Sequence, residues 1–185
     1  MNVIKTNLRD CVVIEPNVFG DDRGFFLETF QANRYADLAG IGLPFVQDNH
    51  SRSFKGVLRG LHFQMTKPQG KLVRVVRGEV YDVAVDIRED SETYGLWHAE
   101  VLSEHNKRQF WVPPGFAHGF VVLSEIADFE YKCTDYYDPE DEGSILWSDP
   151  DLNISWPIDS PVLSDKDSKA PKLIDLDRKI LNFPI

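Results

Sequence analysis

Apolar residues along the chain fall in short runs rich in β-branched and aromatic side chains. Leu72–Val76, Val80–Ile87, Phe110–Val112, Phe120–Leu123 and Phe129–Thr134 each have the length and make-up of a strand. Turn-forming residues separate them: Gly78, Asp90-Ser91, Glu104-His105-Asn106 and Pro113-Pro114-Gly115. A spacing of about ten residues between such signals suits an antiparallel sandwich or barrel. One short helix is predicted over Asn33–Ala39, with Gly40 as its stop. The tail after Trp156 carries Pro157, Pro161 and Pro171 and reads as loops and short turns wrapping the barrel. No repeat, linker or low-complexity tract divides residues 1–185, so one domain is expected.

Within Val80–Ile87 the pattern alternates. Tyr81, Val83, Val85 and Ile87 share one face, and Asp82, Ala84 and Asp86 share the other. The two carboxylates either face solvent or line a wet interior; solvent is the expectation. In the last strand, Tyr131 shares a face with Phe129 and Cys133, opposite Asp128, Glu130, Lys132 and Thr134, so its phenol is predicted to point inward.

Composition narrows the class. At 42% hydrophobic and 27% charged residues the composition suggests neither disorder nor a membrane protein. Met1–Glu15 lacks the apolar core of a secretory signal, and no apolar run approaches the roughly 18 residues of a membrane span. Two cysteines, Cys11 and Cys133, make no disulfide framework, so a cytoplasmic location is expected. A net charge of −10 argues against nucleic acid as partner. The charge is unevenly placed. Residues 49–78 hold no carboxylate but include Arg52, Lys55, Arg59, Lys67, Lys71, Arg74 and Arg77, whereas residues 133–165 hold nine acids and no Lys or Arg. Either the basic segment is reserved for a small anion such as phosphate, or the two segments pair across a sheet.

Few residues are candidates for chemistry. His62 lies in Leu58-Arg59-Gly60-Leu61-His62-Phe63-Gln64, close in sequence to Arg59 and Lys71. Arg59 and His62 would face opposite ways in a regular strand, but a bulge at Gly60 would bring both to one side. Pro113-Pro114-Gly115-Phe116-Ala117-His118-Gly119 matches the second metal-binding motif of cupin barrels. The first motif needs two histidines one residue apart, and only His62 is present, so most ligands of a metal site are missing. His118 is then either a hydrogen-bond donor to substrate or a turn histidine capping backbone. Asp167, taken alone, reads as a solvated loop residue.

Taken together, the segments resemble the dTDP-4-dehydrorhamnose 3,5-epimerase family. They are Asp22-Arg23-Gly24-Phe25-Phe26-Leu27-Glu28, Gln47-Asp48-Asn49-His50-Ser51, the His62 segment, Gln69-Gly70-Lys71-Leu72-Val73-Arg74-Val75, Tyr81–Arg88, Trp111–Phe120, Tyr131–Tyr137 and Glu142–Trp147. They run in order over nearly the whole chain. The resemblance implies an all-β, cupin-like jelly-roll barrel with short peripheral helices, working as a homodimer with exchanged N-terminal strands. It implies no cofactor and no metal, and a dTDP-4-keto-6-deoxy-glucose substrate inverted at C3 and C5. By the same resemblance, His62 is the general base, Asp167 orients it, Lys71 stabilises the enolate and Tyr131 delivers a proton to the opposite face. Arg23 and Arg59 would hold the diphosphate, Glu28, Gln47 and Asn49 would meet the nucleoside, and Tyr137 would stack on thymine. His118, Glu142 and Lys166 complete the implied contact set. Relatives acting at one carbon only, a metal-dependent cupin, and a non-enzymatic sensor are the rival readings. The missing second histidine opposes the metal enzyme, and the presence of both His62 and Tyr131 opposes the sensor.

Overall fold

The computed structural model describes residues 1–177 and Phe183. Strands are numbered in chain order. The first sheet runs β1 (Asn2–Lys5), β2 (Val12–Glu15), β10 (Gln109–Val112), β7 (Lys71–Arg77), β12 (Ile126–Cys133) and β5 (Gln47–Phe54). The second runs β13 (Glu142–Ser144), β6 (Leu58–Gln64), β11 (Phe116–Val122), β8 (Glu79–Asp86) and β9 (Trp97–Ser103). A separate hairpin, β3 (Val18–Asp21) with β4 (Gly24–Leu27), belongs to neither. The two sheets face each other as a jelly-roll sandwich, and no ladder closes them into a continuous barrel among the described residues.

Val73, Val75, Phe110 and Phe129 of the first sheet meet Val80, Ala84, Phe116 and Phe120 of the second in a buried core. Burying each such side chain stabilises the fold by roughly 1.5–3 kcal/mol. The outer faces are covered too. The tail lays Ile145, Leu152, Leu173 and Phe183 over Leu61, Phe63, Val83, Val85, Ile87 and Ala117 of the second sheet. Helix α1 (Ala32–Ala39) sets Tyr35 against Ile14, Leu72 and Trp111 of the first. Central strands covered on both faces need apolar residues at every position, which is why they read as runs. The helix is capped by the Gln31 side chain and stopped by Gly40 at φ 71°; the stop is the one the sequence predicts.

This double covering corrects the expectation for Asp82 and Asp86. The tail covers the face of Tyr81, Val83 and Val85, so the opposite face of β8 looks into the sandwich. Both carboxylates are fully buried there. Asp86 is held by Arg88, Ser91 and Thr93, with oxygen contacts of 2.6–2.9 Å. Asp82 binds the His118 ring.

The bulge expected at Gly60 is present. His62 pairs with His118 and Arg59 pairs with Phe120, so three steps on β6 match two on β11. Because His118 and Phe120 share a face, Arg59 and His62 do as well. Gly60 sits at φ 124°, and a Cβ there would lie 2.6 Å from Gly119 Cα and 2.7 Å from the His118 carbonyl oxygen. No other residue fits that crossing.

The segregated charges follow neither simple reading. Arg52 forks onto Asp128 at 2.6 and 2.7 Å, Arg74 meets Glu130 at 2.7 Å, and Lys55 meets Glu125 at 2.9 Å. These acids lie on or next to β12, ahead of the acidic segment. Arg59 and Lys71 have no carboxylate within ion-pair distance among the described residues.

Candidate active site

A cavity of about 160 Å³ opens between the sheets, lined by Gln47, Asn49, His62, Lys71, Tyr131, Tyr137 and Glu142 together with Phe63, Gln64 and Gln69. Four strand pairings assemble it. Tyr131 on β12 lies between Val73 of β7 and Asn49 of β5, while His62 on β6 lies between His118 of β11 and Ser144 of β13. The imidazole and the phenol therefore enter one cavity from facing sheets.

His62 Nε2 is 2.6 Å from Asp167 Oδ1. Asp167 stands on a one-turn helix, α2 (Asp165–Ser168), capped by the Ser164 hydroxyl, and is buried rather than in a solvated loop. Burial alone would raise its carboxyl. The bonds to His62, Ser164 and the Gly60 backbone outweigh that and hold it below the usual carboxylate range. With Asp167 accepting on Nε2, that nitrogen carries a proton, and in the neutral imidazole Nδ1 is the acceptor. Glu142 Oε1 is 3.6 Å from Nδ1. Burial raises the Glu142 carboxyl too, but Lys166, Tyr137 and His62 bring it below its ordinary value.

Lys71 is pulled down by desolvation, which Cys133, Glu142 and Asp82 partly oppose. Tyr131 is pushed up, chiefly by burial and next by Cys133, while the Arg59 charge draws it back. Its phenol thus stays protonated at neutral pH, as a proton donor requires. Arg59 itself is anchored by a 2.9 Å bond to the Ser53 hydroxyl. Gln47 and Asn49 bond each other at 3.1 Å, and Gln47 accepts the Tyr137 backbone N–H at 2.9 Å.

Of the remaining sequence candidates, His118 is buried, with Nε2 2.8 and 3.0 Å from the two oxygens of Asp82. That nitrogen serves an interior carboxylate, not a turn backbone. Lys166 ion-pairs with Glu142. Arg23 and Glu28 are not brought to the cavity within the chain. The Arg23 side chain is 89% exposed on the hairpin tip and bonds Asp21, and Glu28 pairs with Arg34. Two neighbours of the site were placed by the sequence on strand faces but not named as site residues. Asp82 desolvates beside His118 and is raised for that reason, with His118 and Lys71 opposing. Cys133 lies under Asn49, its Sγ 3.6 Å from Nδ2. Asp82 had a signal, its place one strand-period from the buried Ala84. Among the described residues no group of three or more His, Cys, Asp or Glu is placed to hold a metal ion.

A family model described as dTDP-4-dehydrorhamnose 3,5-epimerase matches residues 5–175. A protein of that name from Shigella flexneri is 56% identical over 178 residues, 96% of this chain and 98% of its own length. Among solved structures, a dTDP-6-deoxy-D-glucose-3,5-epimerase from Legionella pneumophila, in complex with dTDP-4-keto-L-rhamnose, superposes with a TM-score of 0.94 at 58% identity, covering 97% of this chain and 96% of that one. A dTDP-4-dehydrorhamnose 3,5-epimerase from Elizabethkingia anophelis gives 0.90 at 52% identity, covering 95% and 97%. With matches of this strength along almost all of its length, the chain belongs to the dTDP-4-dehydrorhamnose 3,5-epimerase family.

Proposed function

We propose that the protein inverts C3 and C5 of dTDP-4-keto-6-deoxy-D-glucose to give dTDP-4-keto-L-rhamnose, in the cytoplasmic supply of dTDP-L-rhamnose. One observation carries the mechanism: His62 and Tyr131 face one cavity from opposite sheets, and Lys71 lines the same cavity. C3 and C5 both flank the C4 ketone. His62 Nδ1 takes the proton from the carbon, and the bonding pair moves into the ring to form an enolate. Asp167 holds the imidazole in place and stabilises the charge it gains. Lys71 faces the oxygen on which negative charge appears, an interaction that strengthens only as the proton leaves. Tyr131 then protonates the carbon from the other side. A single residue on one face would return the proton to where it was taken.

Arg59, on the same face of β6 as His62, suits the diphosphate. Tyr137, half exposed at the cavity edge, offers a ring for thymine, and Gln47 and Asn49 offer amides for the nucleoside. His118 and Lys166 complete the binding set. The exposed hairpin, with Phe19, Phe25 and Phe26 each more than half in solvent beside Arg23, supports a homodimer in which this arm brings Arg23 and Glu28 to the partner's cavity. One domain is the proposed unit of this activity.

The test is turnover of dTDP-4-keto-6-deoxy-D-glucose in heavy water, coupled to a reductase of the product and followed by NMR. Deuterium at both C3 and C5 is the expected result. Deuterium at one carbon alone would reduce the activity to a mono-epimerase, and at neither would refute it.

A further inference from the structure

The Glu142 carboxylate gathers three groups, from a loop, a helix and a strand. The Tyr137 hydroxyl donates to Oε2 at 2.9 Å, the Lys166 ammonium of α2 pairs with the same oxygen, and Oε1 faces His62 Nδ1 at 3.6 Å. Tyr137 is held from the other side as well, its backbone N–H donating to Gln47 Oε1 at 2.9 Å. Gln47 lies on β5 of the first sheet and Glu142 on β13 of the second. The Tyr137 residue therefore spans the two sheets at the cavity edge. Behind it the cavity measures about 160 Å³, whereas sites for ligands of drug size run to roughly 300–1,000 Å³. Glu142 is well shielded, its side chain 14% exposed, but Tyr137 is half exposed, so water can replace its phenol bond as the ring swings.

We propose that the Tyr137–Glu142 hydrogen bond is a latch across the cavity mouth, closed in this conformation and broken to admit a nucleoside diphosphate. Breaking it frees the Tyr137 ring to pack on the base. Glu142 then keeps Lys166 and His62, so arrival of the nucleotide end is coupled to the charge beside the imidazole. Only the choice of ligand rests on the epimerase reading above.

Association of dTDP, measured by stopped-flow tryptophan fluorescence, tests the latch in wild type, Tyr137→Phe, Glu142→Ala and the double variant. Association that must wait for a conformational step is slowed, so Tyr137→Phe is expected to bind dTDP several-fold faster than wild type. Glu142→Ala should speed it similarly, and the double variant should be no faster than either, because both substitutions open one bond. Unchanged or slower association in Tyr137→Phe, or additive effects in the double variant, would overturn the latch. Thermal melts of the same samples separate this from misfolding. If wild type turns over the keto-sugar while these rates fail, the latch alone falls; if wild type neither turns over nor binds dTDP, both proposals fall.

Discussion

His62 shows how little a residue reveals alone. A histidine in a strand is ordinary, and what makes this one a candidate base is Asp167 at 2.6 Å, brought from 105 positions away. The pair leaves Nδ1 free to accept a proton, while Tyr131 stays protonated because burial opposes its charge. The two proposed roles are separable. His62→Asn is expected to lower kcat by about 10²–10⁴-fold, the usual contribution of a general base, while dTDP still binds in a calorimetric titration. Tyr131→Phe should lose inversion to a similar degree but keep exchange of the C3 or C5 proton with heavy water, visible by NMR without product. Exchange lost in Tyr131→Phe and kept in His62→Asn would reverse the assignment.

At the scale of elements, most of the long apolar strands were legible, although the short apolar β2 (Val12–Glu15) and β4 (Gly24–Leu27) were not. Leu72–Val76, Val80–Ile87 and Phe110–Val112 lie within a residue of β7, β8 and β10, while Phe129–Thr134 misses the first three residues of β12 (Ile126–Cys133). Phe120–Leu123 marks only the later part of β11, which begins at Phe116 beyond the Pro-Gly turn. The polar strand β5 carried no such signal. Its sequence, Gln47-Asp48-Asn49-His50-Ser51-Arg52-Ser53-Phe54, is extended because β12 offers it a full antiparallel ladder. Charge pairs reinforce that edge, and Arg52 draws the Asp128 carboxyl down to about 2. A carboxyl lowered on folding stabilises the fold above its unfolded value, roughly 3.9, and that contribution is lost as pH falls through the folded value. Wild type should therefore melt above Asp128→Asn near neutral pH, with the gap closing between about pH 4 and about pH 2. A gap that holds constant across that range would show that the pair adds no pH-dependent stability.

For the whole molecule, the open question is what the exposed hairpin touches. Phe19, Phe25 and Phe26 stand in solvent around Arg23 within one chain, which is a costly surface unless a second copy covers it. An exchanged arm has a direct consequence. Mixed dimers of His62→Asn and Arg23→Ala chains would contain one site built wholly from wild-type residues. Co-refolding the two weak variants should then restore epimerase activity above that of either parent. If Arg23 instead serves its own chain's cavity, every site keeps one defect and mixing restores nothing.

The sequence by itself determined the strand-rich class, the short helix with its Gly40 stop and the inward phenol of Tyr131, because each follows from local pattern or backbone sterics, and it pointed to Gly60 as the place where a bulge could form. Its ordered motifs also sufficed to indicate the family. Only the tertiary structure decided that Asp82 and Asp86 are interior, since a strand's alternation shows two faces but not which of them another segment covers. Here the tail covers the apolar face and leaves the carboxylates to the sandwich. The same holds for Asp167 and Glu142. Their meeting with His62 depends on long-range packing of the tail and of a short edge strand, and no local pattern in the chain encodes it.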